Sequence, residues 1–416
     1  MDIQLPATTV GSLPKPPTRE GHEFAGWNMA RDGSGIPFHE KTLIEADIVL
    51  VVYAQWKKEE VPPPPLPRLN VEVVPSKETL TPLAGERSST FRVRVSGFKN
   101  KADADSTWLG VTHPTGLLLG VGDTATEDTK IFTITVEYNG TTAFPSGLAT
   151  LRLNLNMPKG YEYADATPTA QVAIRDGLTK DNSIPVNQDN RKAFNDYANT
   201  PEGLKRHYQL TEDIELPAVS FGASNWTAIG KGAAAERFTG SFDGNGFKIF
   251  GLTLHAPDND LQGLFGVIGE GAEVSNLGLE GGSVRGRETV GSLVGRNLGI
   301  VRNCVALNSS VTITENSTFL GRVVGVAGAN TTLQNNHARA MTNYVPPASS
   351  VGANLKDGAT TSAHNTENFW RQTLRIGTAG SQDYLVWNFN NVWQWSSASQ
   401  LPILRGVGGT QNHTVQ

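Results

Sequence analysis

VGSLVGRNLGIVRNC, residues 290–304, is a phrase that the chain writes three times. One version precedes it in GLFGVIGEGAEVSNL (263–277), and another follows in GRVVGVAGANTTLQNN (321–336). Counted from Gly263, Gly291 and Gly321, the intervals are 28 and 30 residues. Periods of about 20–50 residues mark solenoids or arrays. Each copy holds a short apolar strand (Leu264, Phe265, Val267; Leu293, Val294; Val323, Val324, Val326) and then a second (Val274, Leu277, Leu279; Ile300, Val301, Val305; Leu333). Glycines stand where a chain turns sharply or passes close to a neighbour. No single unit can bury its apolar face alone, and stacking buries each face against the next. The expected architecture over 188–405 is therefore a right-handed β-helix or related β-solenoid. Asn276, Asn303 and Asn335 recur after the second strand begins. Two readings stand for them: an inward ladder of amides, each bonding the next, or turn residues facing water.

Working outward, FTGSFDGNGFKIFGLTL (238–254) fits an irregular early coil, with the turn Asp243-Gly244-Asn245-Gly246 between two apolar strands. Before it, QDNRKAFNDYANTPEGLKRH (188–207) is the one helical stretch. Phe194, Tyr197 and Ala198 lie at i, i+3 and i+4, and Asp189 is the expected N-cap. A helix there would cover the raw strand edges at the solenoid's end. On the far side, four of the eight tryptophans lie between Trp370 and Trp395. Trp387, Trp393 and Trp395, with Phe389, are the candidate ligand-binding residues, because flat aromatic faces stack on sugar C–H surfaces. The competing reading is a plug that caps the last coil, closed by Leu401-Pro402-Ile403-Leu404, and it is preferred of the two. A flexible tail is expected over 406–416.

The N-terminal half reads differently. VPPPPLPR (61–68) holds four consecutive prolines, which enforce an extended rod, so 61–67 is a stiff spacer. From 68 to 176, runs such as FRVRVSGF and ATLRLNLNM alternate with period two. Phe91, Val93 and Val95 should face inward and Arg92 and Arg94 outward. Leu151, Leu153 and Leu155 should do the same against Arg152, Asn154 and Asn156. Six or seven such strands argue an immunoglobulin-like β-sandwich, without a cysteine pair to pin it. The polar, turn-rich 177–187 reads as a linker, where Pro185 blocks a helix. In residues 1–60, IVLVVYAQW (48–56) alternates as a strand buried on at least one side, and Asp32-Gly33 and Ser34-Gly35 mark tight turns.

Bulk properties narrow the function classes. With 416 residues, several domains are expected. Charged residues make up 18% of the chain and the net charge is −5, which leaves no basic footprint for nucleic acid. No apolar run approaches the roughly 18–20 residues of a membrane span. The one cysteine, Cys304, excludes an intrachain disulfide and reads as a small buried apolar residue. No charged-then-apolar leader opens the chain, which looks like a piece cut from something longer.

Nothing in the sequence carries catalysis. His22-Glu23 and His39-Glu40 lack the second histidine of H-E-x-x-H. The eight histidines are scattered without ligand spacing, and G-x-S-x-G is absent. Asp258 and Asp260 are close but in a loop, and only four acids fall between 290 and 416, too few for a carboxylate site on that face. No catalytic residue, metal site or cofactor is expected.

Two stretches also resemble known families. Pro17, Glu20, Gly21, Phe24, Gly26 and Trp27, then Asp32 to Gly35, then Tyr53, Ala54 and Trp56, resemble the Listeria–Bacteroides (internalin B-type) repeat. That resemblance implies a small β-grasp-like module strung along bacterial surface proteins. The opening strand usual in that family is not plain in residues 1–17. The G-L-F-G and G-S-L-V-G phrases, N-x-G-x-V-x-N-C and F-T-G-S-F-D-G-N-G look like the GLUG-motif family, together with WNFNNVWQWSSASQLPILR (387–405). This second resemblance implies a β-helical segment of extracellular bacterial proteins. The combined expectation is an all-β, multidomain, non-catalytic bacterial surface protein. Its solenoid would bind a host or matrix protein, or a glycan, with the other modules as stalk. The alternative is the accessory region of a secreted peptidase or glycan-degrading enzyme.

Overall fold

The computed structural model describes residues 8–10, 12–44, 49–60, 62–75, 79–163, 168–341, 344–352, 354–360, 393–396 and 401–404. These divide into two units, 1–66 and 67–416. Strand makes up 43% of the described residues against 7% helix, so the class is all-β.

Residues 68–174 form two packed sheets. One runs in the order Leu117–Ala125, Thr129–Tyr138, Ser88–Ser96, Arg68–Pro75, Glu162–Tyr163; the other runs Thr79–Leu80, Thr169–Ile174, Leu148–Asn156, Trp108–Thr112. The long ladders are antiparallel. Period-two alternation sets which side chains go inside. Phe91, Val93 and Val95 are buried while Arg92 and Arg94 are exposed, and Leu151, Leu153 and Leu155 are buried between exposed Arg152, Asn154 and Asn156.

The repeats stack as a parallel β-solenoid of about four turns. One six-stranded parallel sheet runs Ile184–Val186, His207–Leu210, Ser241–Asp243, Glu273–Ser275, Ile300–Arg302, Thr332–Gln334. A second runs Ile214–Glu215, Lys248–Phe250, Gly278–Glu280, Val305–Leu307, His337–Ala338, Ala359–Thr360. Shorter sheets close the coil, among them Phe265–Ile268, Val294–Asn297, Val324–Ala327, which carries the repeated phrase. The period is uneven: Ile300 stacks on Glu273 after 27 residues, and Thr332 on Ile300 after 32. The additional residues swell two loops, 314–319 and 328–331, while the ladders stay in register.

The glycines of the phrase follow from how closely the backbone passes itself. A Cβ on Gly295 would lie 2.8 Å from the Gly266 oxygen and 2.9 Å from the Gln262 nitrogen; one on Gly291 would lie 2.4 Å from the Val294 oxygen. No side chain fits there.

The asparagines form the ladder. Asn276, Asn303 and Asn335 take left-handed φ values of 54°, 55° and 52° at the corner between the two six-stranded sheets. Asn335 Nδ2 donates to Asn303 Oδ1 (3.3 Å), Asn303 Nδ2 to Asn276 Oδ1 (3.1 Å), and Asn276 Nδ2 to Asp243 Oδ1 (2.9 Å). Asparagine suits both demands, since it tolerates left-handed backbone and its amide both donates and accepts. Cys304 follows Asn303 into the core, where burial pushes its thiol pKa up to about 12.

At the solenoid's N-terminal end, helix Arg191–Ala198 sends Phe194 inward to within 4.8 Å of Tyr208 and 5.5 Å of Phe242. Its N-cap is Asn190 rather than the expected Asp189. Asn190 Nδ2 donates to Glu86 Oε1 (3.2 Å) in the sandwich and to the Pro185 carbonyl. The helix shares this end with the sandwich, because Leu83 is fully buried in the solenoid's own core cluster. Arg206 adds a bond to the Gly140 carbonyl (3.3 Å). The stretch 177–187, expected as a linker, carries the one-turn helix Lys180–Asn182 and the ladder strand Ile184–Val186. Just before it, buried Asp176 accepts from the Phe144 and Leu178 amides and from Asn182 Nδ2.

The N-terminal unit has a sheet in the order Pro37–Phe38, His22–Asn28, Tyr53–Lys58, and a separate pair Thr8–Thr9 with Leu43–Ile44. Phe24 meets Trp27 and Trp56 edge-on at 5.4 and 5.8 Å, and the Arg19 guanidinium lies 6.0 Å from the Trp56 ring. Asn28 organises the Asp32–Gly35 turn: its Nδ2 donates to the Gly33 and Gly35 carbonyls, and its Oδ1 accepts from the Ala30 amide.

Candidate functional site

Of the tryptophans expected to bind a ligand, Trp387 lies outside the described residues. Trp393 and Trp395 belong to the strand Trp393–Ser396, which pairs antiparallel with Leu401–Leu404 and sets Trp393 opposite Leu404 and Trp395 opposite Pro402.

A better-defined place lies on the solenoid's flank, where two loops leave the coil. The first runs from Pro217 to Ala228, where Ile229 rejoins the coil beside Phe265, and the second from Ala256 to Leu261, where Gln262 pairs with Val290. Between them is an open cleft of about 780 Å3 lined by Ser224, Trp226, His255, Asp258, Asp260 and Arg287, among others.

Both loops are held from several sides. Asn225 anchors the first: its Nδ2 donates to the Pro217 and Gly251 carbonyls, and its Oδ1 accepts from the Thr253 amide. Trp226 turns into the core, where its Nε1 donates to the Leu264 carbonyl at 3.0 Å. Asn195 of the helix bonds Thr227 in both directions. In the second loop, Arg287 grips Asp260 with both ends of its guanidinium, Nε to Oδ1 at 2.9 Å and NH2 to Oδ2 at 2.5 Å. That grip raises the pKa of Arg287. Thr314 Oγ1 donates to the Pro257 carbonyl from the following coil. Leu261 has φ +61°, and it alone among the described non-glycine residues of positive φ is not asparagine. A bulky residue held there marks a backbone fixed by its surroundings.

At the cleft's edge, the Phe221 side chain is 100% exposed, and its ring centroid lies 5.8 Å from that of His255. The His255 amide donates to Ser224 Oγ at 2.8 Å. The cleft carries carboxylate, amide, imidazole and guanidinium groups on pinned loops, and the uncovered Phe221 ring stands beside its His255. Preformed concave sites of this kind orient a ligand with a few polar groups. Among the described residues, no three histidine, cysteine or acidic side chains are placed to hold a metal ion together, and no helix is long and apolar enough to cross a membrane.

A second cleft of about 760 Å3 lies beside the last described coil, between Phe319, Val326, Leu333 and Leu355. It has fewer charged groups and adjoins residues outside the described set.

Sequence reasoning noted Asp258 and Asp260 as a loop pair but missed Phe221, His255 and Arg287. The available signal was the break in the repeat, since 217–228 and 256–261 are where the coil pattern lapses.

No protein-family model matches the chain. A Putative Gly-rich membrane protein of Evansella cellulosilytica is 43% identical over 101 residues, 23% of this chain and 12% of that protein. Halomucin of Haloquadratum walsbyi is 32% identical over 148 residues, 35% of this chain and 2% of that protein. The chain thus spans only a small part of either relative.

Proposed function

We propose that this chain is a non-catalytic part of an extracellular surface protein, and that its solenoid holds a glycan in the cleft beside Phe221. The observation that carries this reading is a fully exposed aromatic ring next to His255 at the edge of a rigid polar cleft. A sugar ring offers apolar C–H faces to an aromatic ring and hydroxyls to planar polar groups. Phe221 buries nothing where it stands, so its side chain is available for such stacking. The surface location draws support from the names of the two similar proteins, one a membrane protein and the other halomucin. The resemblances to the GLUG-motif family and the Listeria–Bacteroides repeat point the same way. The sandwich and N-terminal unit then serve as stalk, and the solenoid works in adhesion wherever the glycan sits on another cell or on matrix.

The test is a glycan array probed with the full chain. Saturable binding is expected, weakened roughly twofold to tenfold by Phe221→Ala, in line with the roughly 0.5–1.5 kcal/mol that one good ring contact supplies. Thermal stability should not change in that variant. A folded chain that stays silent across the array, or that binds equally without Phe221, defeats the reading. Binding lost instead with Trp393→Ala or Trp395→Ala would return the site to the tail.

A further inference from the structure

The pattern Asn-x-Ser/Thr, with any residue but proline at x, is the acceptor for N-linked sugar. It occurs at Asn139, Asn225, Asn308, Asn316, Asn330 and Asn412. Asn412 lies outside the described residues. The structure sorts the other five by what already holds the side-chain amide. Asn308 is fully buried, and its Nδ2 donates to the Gly281 carbonyl at 3.1 Å. Asn225 anchors the first cleft loop, with Nδ2 committed to two carbonyls and Oδ1 to an amide. Asn139 is exposed, but its Oδ1 accepts from the Thr141 and Thr142 amides and its Nδ2 donates to Thr142 Oγ1. Asn316 and Asn330 are exposed, and neither side chain bonds to any described residue. A second feature joins these two. The coil from Ile300 to Thr332 takes 32 residues where the one before it, from Glu273, takes 27. The additional residues fall in loops 314–319 and 328–331, and each loop holds one of the two free asparagines. Loop 314–319 is tied near its ends, by the Glu315 amide to the Arg287 carbonyl and by Lys356 Nζ to the Thr318 carbonyl, and Asn316 stands between the ties. Asn330 sits in a turn. Thr318 and Thr332, which complete the two patterns, are exposed as well.

We infer that Asn316 and Asn330 carry N-linked oligosaccharide, added to the folded chain by a membrane-bound oligosaccharyltransferase. The chemistry explains why the amide has to be free. An amide nitrogen is a weak nucleophile while its lone pair is delocalised into the carbonyl, so the transferase must twist it out of plane. An amide held flat by bonds to both of its ends resists that twist. In the transfer, Nδ2 attacks the anomeric carbon of a sugar carried on a polyprenyl pyrophosphate. The C–N bond forms as the bond from that carbon to the phosphate oxygen breaks. The lipid pyrophosphate leaves with the electron pair, and one amide proton passes to a base on the transferase. This inference rests on the extracellular reading above and is independent of the glycan cleft.

The test uses the chain in the cells that make it. Protease shaving of intact cells reports where the chain lies, and peptide mass mapping reports what is attached. Sugar is expected on the peptides holding Asn316 and Asn330, and none on those holding Asn139, Asn225 and Asn308. Asn316→Gln and Asn330→Gln should each remove one oligosaccharide mass from the intact chain and leave it folded. Thr318→Ala should leave Asn316 unmodified, and Thr318→Ser should restore the sugar. A chain shaved from the surface but unmodified at both positions overturns the inference and leaves the surface reading standing. A chain protected inside the cell defeats the surface reading, and the inference falls with it. Sugar spread equally over Asn225 and Asn308 refutes the argument from bonding and burial.

Discussion

The sandwich and the solenoid are two cores built from similar residues under different limits. In the sandwich, two sheets face each other across roughly 10 Å, a gap filled by side chains. Its strand glycines are roomy: a Cβ on Gly110 would meet nothing nearer than 3.6 Å, and one on Gly120 nothing nearer than 4.0 Å. In the solenoid, the coil folds back on itself and main chain meets main chain at Gly295 and Gly291. Its interior also carries polar groups, including Asn303 of the asparagine column and Arg322, which is 1% exposed. The space between sheets can be refilled by other side chains, whereas a contact between backbones admits only glycine.

The largest effect that would break this contrast is at the glycines. Gly295→Val should abolish cooperative folding of the solenoid, a loss beyond the ~4 kcal/mol that marks exceptional substitutions. Gly120→Ala in the sandwich should stay within about 0.5 kcal/mol. Denaturant titration of both variants measures the difference, and equal losses would refute the backbone-contact argument.

Next come buried charges. Arg322 donates to the Arg339 and Gly358 carbonyls and to Thr360 Oγ1, and buried Asp357 accepts from its backbone amide. Burial pulls the guanidinium pKa down, and the nearby Asp357 carboxylate opposes that. Asp357→Ala strands a buried charge and should cost about 3–5 kcal/mol. The sandwich counterpart is Lys130–Asp123 at 2.7 Å, where Lys130 is buried but Asp123 is half exposed and solvated, so Asp123→Ala should cost less, about 1–3 kcal/mol. Unfolding midpoints of the two variants rank them.

Asn303 separates conformation from bonding. Asn303→Ala loses the ladder and also strains a left-handed site, together about 2–3 kcal/mol. Asn303→Gly relieves the strain and should cost only about 1 kcal/mol. If the two variants are equally stable, the ladder rather than the backbone sets the requirement.

The smallest effect is acid sensitivity where sandwich and solenoid join. Burial raises the Glu273 pKa, but hydrogen bonds from Lys180 and Arg302, each at 2.6 Å, outweigh it and leave the carboxyl below its ordinary value. A lowered folded pKa gives stability that is complete above the unfolded value of about 4.3 and is lost as pH falls through the folded one. Stability should therefore drop below about pH 4, and Glu273→Gln should flatten that part of the pH profile. An unchanged acid limb would remove Glu273 from the account.

Much of the fold was legible because it is periodic. The spacing of Gly263, Gly291 and Gly321 announces stacking, and the alternation through Phe91–Val95 and Leu151–Leu155 announces sheets with one wet face. The asparagine column could be seen as a recurrence, but only its left-handed φ and amide bonds decide between ladder and turn. The cleft was not legible, because it depends on loops that break the period. Arg287 stands 27 residues beyond Asp260, and nothing local foretells their pairing. The stretch 177–187 misled for a similar reason, since polar turn residues look the same in a free linker and beside the long-range bonds of Asp176.

The joint between rod and sandwich has a mechanical consequence. Strand Arg68–Pro75 follows the run Pro62–Pro65 almost at once and pairs with Ser88–Ser96 over six residues, from Asn70↔Ser96 to Pro75↔Phe91. Antiparallel ladder bonds lie across the strand axis. Tension pulled in along the prolines therefore loads those bonds in shear, all together, instead of peeling them one by one. For tension that arrives along the prolines, this ladder is the part of the sandwich that takes the load first.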